Sequence, residues 1–184
     1  MPLDVGVGLI LGVGLSNVTD LAYPLCLLIG IAAALLPDLD FLYQYAKTRR
    51  TPNTEHRDGL HYPLIVTPIV GLAGWIFNPH VGAVMAAGTL AHFIHDSIGV
   101  GFGIKWLYPF KENSYLFFFQ VKNPANKNMP KQRLYSWNDK ERAEAIHKYA
   151  YKDWIRFLYF RPNAYGLFEY IVFLTGVLIS LASY

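Results

Sequence analysis

In AYGLFEYIVFLTGVLISLASY, residues 164–184, the run Ala164–Ser183 has the composition of a membrane helix. Crossing a bilayer takes about 20 predominantly apolar residues, and this run supplies them. Four further apolar stretches precede it: Leu3–Leu15, Leu21–Leu36, Pro63–Phe77 and Val81–Ile104. The fourth is also long enough to span, while the first three are short and need flanking residues, a thinned bilayer or partial insertion. The whole chain agrees: 53% of its 184 residues are hydrophobic and 16% charged, against about 25% charged in soluble domains. These observations predict an all-α protein, a multi-pass bundle of about four to five apolar helices forming one membrane-embedded domain over 1–184. Within it, 1–110 is a core, 111–163 a long loop and 164–184 a final transmembrane helix. A soluble helical protein with apolar core helices is the competing class.

Charge placement orients the bundle. All sixteen Lys and Arg fall in two places: Lys47, Arg49, Arg50 and Arg57, then twelve from Lys105 to Arg161. The connections Ser16–Asp20 and Asn78–His80 have none. If each stretch crosses once, both basic loops share a face, and the positive-inside rule makes it cytoplasmic in the cell membrane. A net charge of +3 gives no reason to expect a nucleic-acid partner; membrane lipids are the expected surroundings. The single cysteine, Cys26, excludes an intramolecular disulfide and a cysteine zinc site. The first fifteen residues lack the basic region of a signal peptide and read as mature structure.

The long loop contains SWNDKERAEAIHKYAYKDWIRFLYF, residues 136–160, which reads as one helix capped by Ser136 or Asn138. Its apolar stripe is Ala143, Ile146, Ala150, Trp154, Phe157 and Leu158. It lies either along the membrane surface or against other helices. KNPANKNMPKQR, residues 122–133, reads as a solvated connector that could also meet an anionic surface.

The ionisable residues in apolar surroundings carry the chemistry. Asp38 and Asp40 follow Pro37 where the second stretch ends, and two carboxylates this close repel unless a cation separates them. Carboxylate oxygens suit divalent metals. His56 and His61 flank Gly59 ahead of the third stretch, with Arg57 able to hold an anion or pair with an aspartate. His92 and Asp96, four apart, share a helix face. His95 is either a third ligand or a partner to another helix, and the second is preferred. Single crossings bring all of these to the cytoplasmic face, and intramembrane ionisable groups usually mark function.

PDLDF, HRDGLH, HFIHD and GVGFGIKWLYPF resemble the YdjM-like group of membrane-bound metal-dependent hydrolases over roughly residues 1–110. The resemblance implies a helical scaffold with a multinuclear zinc site acting on phosphoesters. It departs at Asp4, where a histidine is often found, at Asp58, inserted before Gly59, and at Tyr62, where serine is usual. Together with the residue pattern it yields an enzyme with a divalent metal, zinc by expectation. Its ligands are His56, His61, His92 and Asp96, with Asp38 and Asp40 as ligands or as bridging carboxylate and base. Arg57 steadies an anionic substrate, a phospholipid or lipid-linked phosphate. The rival classes are a non-catalytic structural or assembly membrane protein and a small metal-ion-binding or transport protein.

Overall fold

The computed structural model describes residues 2–49, 57 and 59–184. The protein is mostly helical. Its elements are α1 (Pro2–Ser16), α2 (Tyr23–Leu35), a 3-10 turn (Leu36–Asp38), α3 (Leu39–Thr48), α4 (Pro63–Phe77), α5 (Pro79–Asp96), β1 (Ile98–Gly99), β2 (Ser114–Gln120), β3 (Leu134–Trp137), α6 (Asp139–Tyr149), α7 (Trp154–Tyr159) and α8 (Ala164–Ala182). Pro2, Pro24, Pro63 and Pro79 each stand in the first turn of a helix, where the missing N–H costs nothing and the fixed φ is already helical.

Two compact units divide the chain. The first comprises Met1–Asp38, Ile65–His92 and Leu167–Tyr184. Its helices approach through glycines: a Cβ on Gly12 would lie 2.6 Å from Leu27 Cα, and one on Gly6 would lie 2.6 Å from Val172 O. Small residues of this kind permit the backbone approach typical of membrane helices. Leu15, Cys26 and Val81 form its buried core, with Ile29, Val84 and Met85 against them. Thr89 Oγ1 donates to Met85 O and reaches Ala33 O at 3.3 Å, tying α5 to α2.

The second unit comprises Leu39–Leu64 and Phe93–Gly166. A three-stranded sheet, order β1-β2-β3, has β1 parallel and β3 antiparallel to β2. Leu116, Met129 and Tyr135 are its core. The connector 122–133 is organised from within: Asn126 is fully buried and donates to Val121 O, and Lys122 Nζ donates to Asn126 O and Met129 O. Lys122 thus serves the loop's own carbonyls rather than an outside anion.

Several expectations change. The all-α class gives way to a mostly helical chain with a small sheet, because SYLFFFQ (114–120) is rich in residues that favour a pleated, half-buried surface. The fourth apolar stretch is not helical to Ile104; α5 stops at Asp96, and Gly99, Gly101 and Gly103 all take positive φ, which only glycine adopts freely. Among the described residues two helical runs are long and apolar enough to cross a membrane, Tyr23–Thr48 and Ala164–Ala182. The α1 and α4 helices are apolar but only 15 residues each. The expected helix over 136–160 is broken, since Ala150 takes an extended conformation after α6. Asn138 is the cap, in a reciprocal pairing with Glu141. The buried face of α6 carries Arg142 and Ala145, and Ala143 is exposed.

Candidate metal centre

In the first unit the site grows from three places in the chain. Asp4 lies in the first turn of α1 and is 1% exposed. Pro37 interrupts the helical hydrogen bonding after α2, and the resulting 3-10 turn ends at Asp38. His92, also 1% exposed, lies near the end of α5. Its Nδ1 lies 2.9 Å from Ala34 O and 3.4 Å from Asp4 Oδ1. A backbone carbonyl only accepts, so Nδ1 is the donor in this bond and Nε2 is turned towards Asp38. That Nε2 lies 3.7 Å from Asp38 Oδ1. Two donors on one tetrahedral zinc lie about 3.4 Å apart, given bonds of about 2.0–2.2 Å. Asp38 and His92 belong to a His/Asp group that could hold a metal ion. A histidine whose other nitrogen is fixed by a carbonyl and a carboxylate is the usual arrangement behind a metal-binding imidazole.

In the second unit His61, fully buried, stands between two carboxylates. Its Nδ1 is 3.0 Å from Asp40 Oδ2 and its Nε2 3.1 Å from Asp96 Oδ2. The Leu60 N–H also donates to Asp40 Oδ2, at 3.0 Å. Asp40 Oδ1 is buried and has no hydrogen-bond partner among the described residues, an acceptor that a cation would satisfy. Burial by itself pushes His61 down, but its bonds to Asp40 and Asp96 and their negative charge override this and raise it from 6.5 to about 9. Without a cation His61 is therefore protonated and bridges the two carboxylates. A cation at Nε2 would displace that proton, and the 3.1 Å spacing to Asp96 Oδ2 suits two donors of one ion as well as a hydrogen bond.

Arg57 is 7% exposed and donates from Nη2 to Asp96 Oδ1 at 2.8 Å and from Nη1 to Asp96 O at 3.0 Å. Of its two expected roles, pairing with an aspartate is the one observed. Gly101 makes room for it, since a Cβ there, at φ +80°, would lie 2.5 Å from Nη1.

Within the first unit Asp38 meets His92, and within the second Asp40 and Asp96 meet His61 and Arg57 meets Asp96; the side chains able to share a metal ion are Asp38, His61 and His92. His56 lies outside the described residues. His95 stacks on Tyr165 of α8, ring centroids 6.1 Å apart, as a partner to another helix. Tyr62, in the place of the usual serine, stacks at 4.4 Å on Tyr108 of the Tyr-Pro-Phe ending. Asp4, which the sequence marks only as standing where a histidine is often found, is not among the sequence-predicted site residues; a lone acid in an apolar helix is the available signal.

A family match covers residues 4–181. The chain belongs to the YdjM inner membrane protein family. The match extends the resemblance well beyond residue 110, so β2, β3 and α6–α8 are as much part of the family chain as the histidine and aspartate motifs. No curated protein and no solved structure matches the chain.

Proposed function

We propose that this family member is a membrane-bound, metal-dependent hydrolase of phosphoesters, with zinc as the cation and a lipid or lipid-linked phosphate as substrate. The observation that carries the reading is His92, buried, with Nδ1 fixed by Ala34 O and Nε2 3.7 Å from Asp38 Oδ1. The candidate ligands are Asp38, His61 and His92, with Asp40 and Asp96 beside His61; His56, outside the described residues, is a ligand expected from the sequence alone. These residues would hold a zinc ion, whose chemistry there would be to lower the pKa of a coordinated water to about 7 and polarise the scissile group.

The chain's own residues do the rest. Asp4 and Ala34 O hold the His92 ring through Nδ1, with Nε2 towards Asp38. Asp40, whose Oδ1 is buried without a hydrogen bond among the described residues, is the candidate base. Arg57 neutralises Asp96 and fixes its position. The two blocks of basic residues favour a cytoplasmic position for the site, beside the headgroups.

A structural role is the second reading, favoured by the ion pairs that Arg57, Asp96, His61 and Asp40 make with one another without a cation. Metal analysis separates the two. Wild type purified with zinc is expected to carry it stoichiometrically, His92→Ala and Asp38→Asn to carry less, and wild type alone to cleave phosphodiester or phosphomonoester probes. Wild type free of metal under those conditions, or equal metal in all three, ends the hydrolase reading.

A further inference from the structure

Immediately ahead of α8, a cleft of about 610 Å³ opens in the second unit, lined by Lys152, Asp153, Ile155, Arg156 and Phe160. Lys152 and Arg156 are exposed, and Phe160 is 77% exposed. The cleft therefore combines two cations, one carboxylate and an aromatic ring presented outward.

Its position in the chain says what it meets. Phe160 is four residues before Ala164, where a run long and apolar enough to cross a membrane begins. The elbow joining them is fixed. Asn163 Nδ2 donates to Leu158 O at 2.8 Å and to Arg161 O at 2.9 Å, and its Oδ1 accepts from Gly166 N at 2.8 Å. One side chain thus ties the end of α7 to the first turn of α8. A glycine is required at 166, because a Cβ there would overlap Leu158 O. Basic and aromatic side chains held just outside a membrane helix lie at headgroup depth, where aromatics anchor and Lys or Arg attract anionic lipid.

We propose that this cleft binds one phospholipid with an anionic, hydroxyl-bearing headgroup. Lys152 and Arg156 take the phosphate, Asp153 accepts from headgroup hydroxyls, and Ile155 and Phe160 lie along the upper acyl chains. Two cations against one carboxylate match a headgroup of single negative charge better than a zwitterionic one. The site is independent of the metal reading and would hold even in a non-catalytic protein.

The test is native mass spectrometry of the full chain in mild detergent, titrated with phosphatidylglycerol. Wild type should retain one such lipid. Each basic residue near an anionic membrane strengthens binding about fivefold, so Lys152→Gln with Arg156→Gln should weaken it about 30-fold. The charge-conserving pair Lys152→Arg with Arg156→Lys should stay near wild type. His92→Ala, which the metal reading expects to lose zinc, should retain the lipid unchanged. Both Gln substitutions are at exposed positions, so the unfolding midpoint should not move. Undiminished retention in the Gln pair overturns the proposal. So does equal retention of phosphatidylethanolamine or phosphatidylcholine, or displacement of the lipid by inorganic phosphate, which would mark a free-anion site.

Discussion

Replacing Asp96 by Asn tests the polar chain of the second unit most directly. The Asp96 carboxylate faces a guanidinium at 2.8 Å and an imidazole at 3.1 Å, and Arg57 and His61 are both buried. Removing one partner of a buried ion pair typically costs about 3–5 kcal/mol, because the remaining charge is left uncompensated. Arg57 would keep its bond to Asp96 O at 3.0 Å and its longer approach to Val100 O at 3.5 Å, so the lower end, about 3 kcal/mol, is expected. The measurement is equilibrium unfolding in mild detergent, with chelator present so that ligation does not enter. Arg57→Met alone leaves the carboxylate without its guanidinium, with only His61 beside it, and should cost a similar amount. The double variant removes both charges and should be destabilised by less than the sum, with a coupling of about 2 kcal/mol. If the two losses add to within about 0.5 kcal/mol, Arg57 and Asp96 do not act as a unit and the reasoning fails.

Asp4→Asn should lower zinc affinity about 10–100-fold at unchanged saturating stoichiometry, because Asp4 acts through His92; calorimetric titration reads this, and an unchanged affinity refutes the role. In the metal-free protein, His61 binds a proton more tightly when folded than the ordinary 6.5 of the unfolded chain. Its contribution is therefore complete below about pH 6.5 and disappears as pH rises through about 9, about 3 kcal/mol in all; a flat stability profile from pH 6 to 10 in His61-intact protein contradicts it. Gly101→Ala should cost about 2 kcal/mol, from the left-handed backbone and the displaced Arg57. Gly14→Ala on α1, where a Cβ meets nothing within 4 Å, should be neutral or stabilising. Thermal unfolding of the two variants side by side checks the contrast.

Much of the helical content was legible because it depends on local rules. Apolar runs mark α1, α4 and α8, with a proline in the first turn of α1 and of α4 and Pro162 just ahead of α8, and Asn138 with Glu141 marks the start of α6. The strand β2 was not legible, since an aromatic run such as SYLFFFQ becomes a strand only when β1 and β3 supply partners. Nor was the break at Ala150, where the apolar spacing continues across residues that leave the helix. The ionisable motifs were visible as types and spacings, but their partners were not. Asp38 and Asp40, with one residue between them, meet different histidines: Asp38, ending the 3-10 turn, faces His92, and Asp40, in α3, faces His61.

By itself the sequence determined a membrane-associated, mostly helical chain with acids and imidazoles in apolar surroundings. Periodicity, proline placement and the cost of burying charge all act over a few residues. Tertiary structure alone decided which charge meets which. It placed Asp4 behind His92, committed Arg57 to Asp96, and put His61 between two carboxylates. Those choices depend on distances between segments far apart in the chain. Such distances are set by backbone approach at glycines and by packing, which no local pattern of residues encodes.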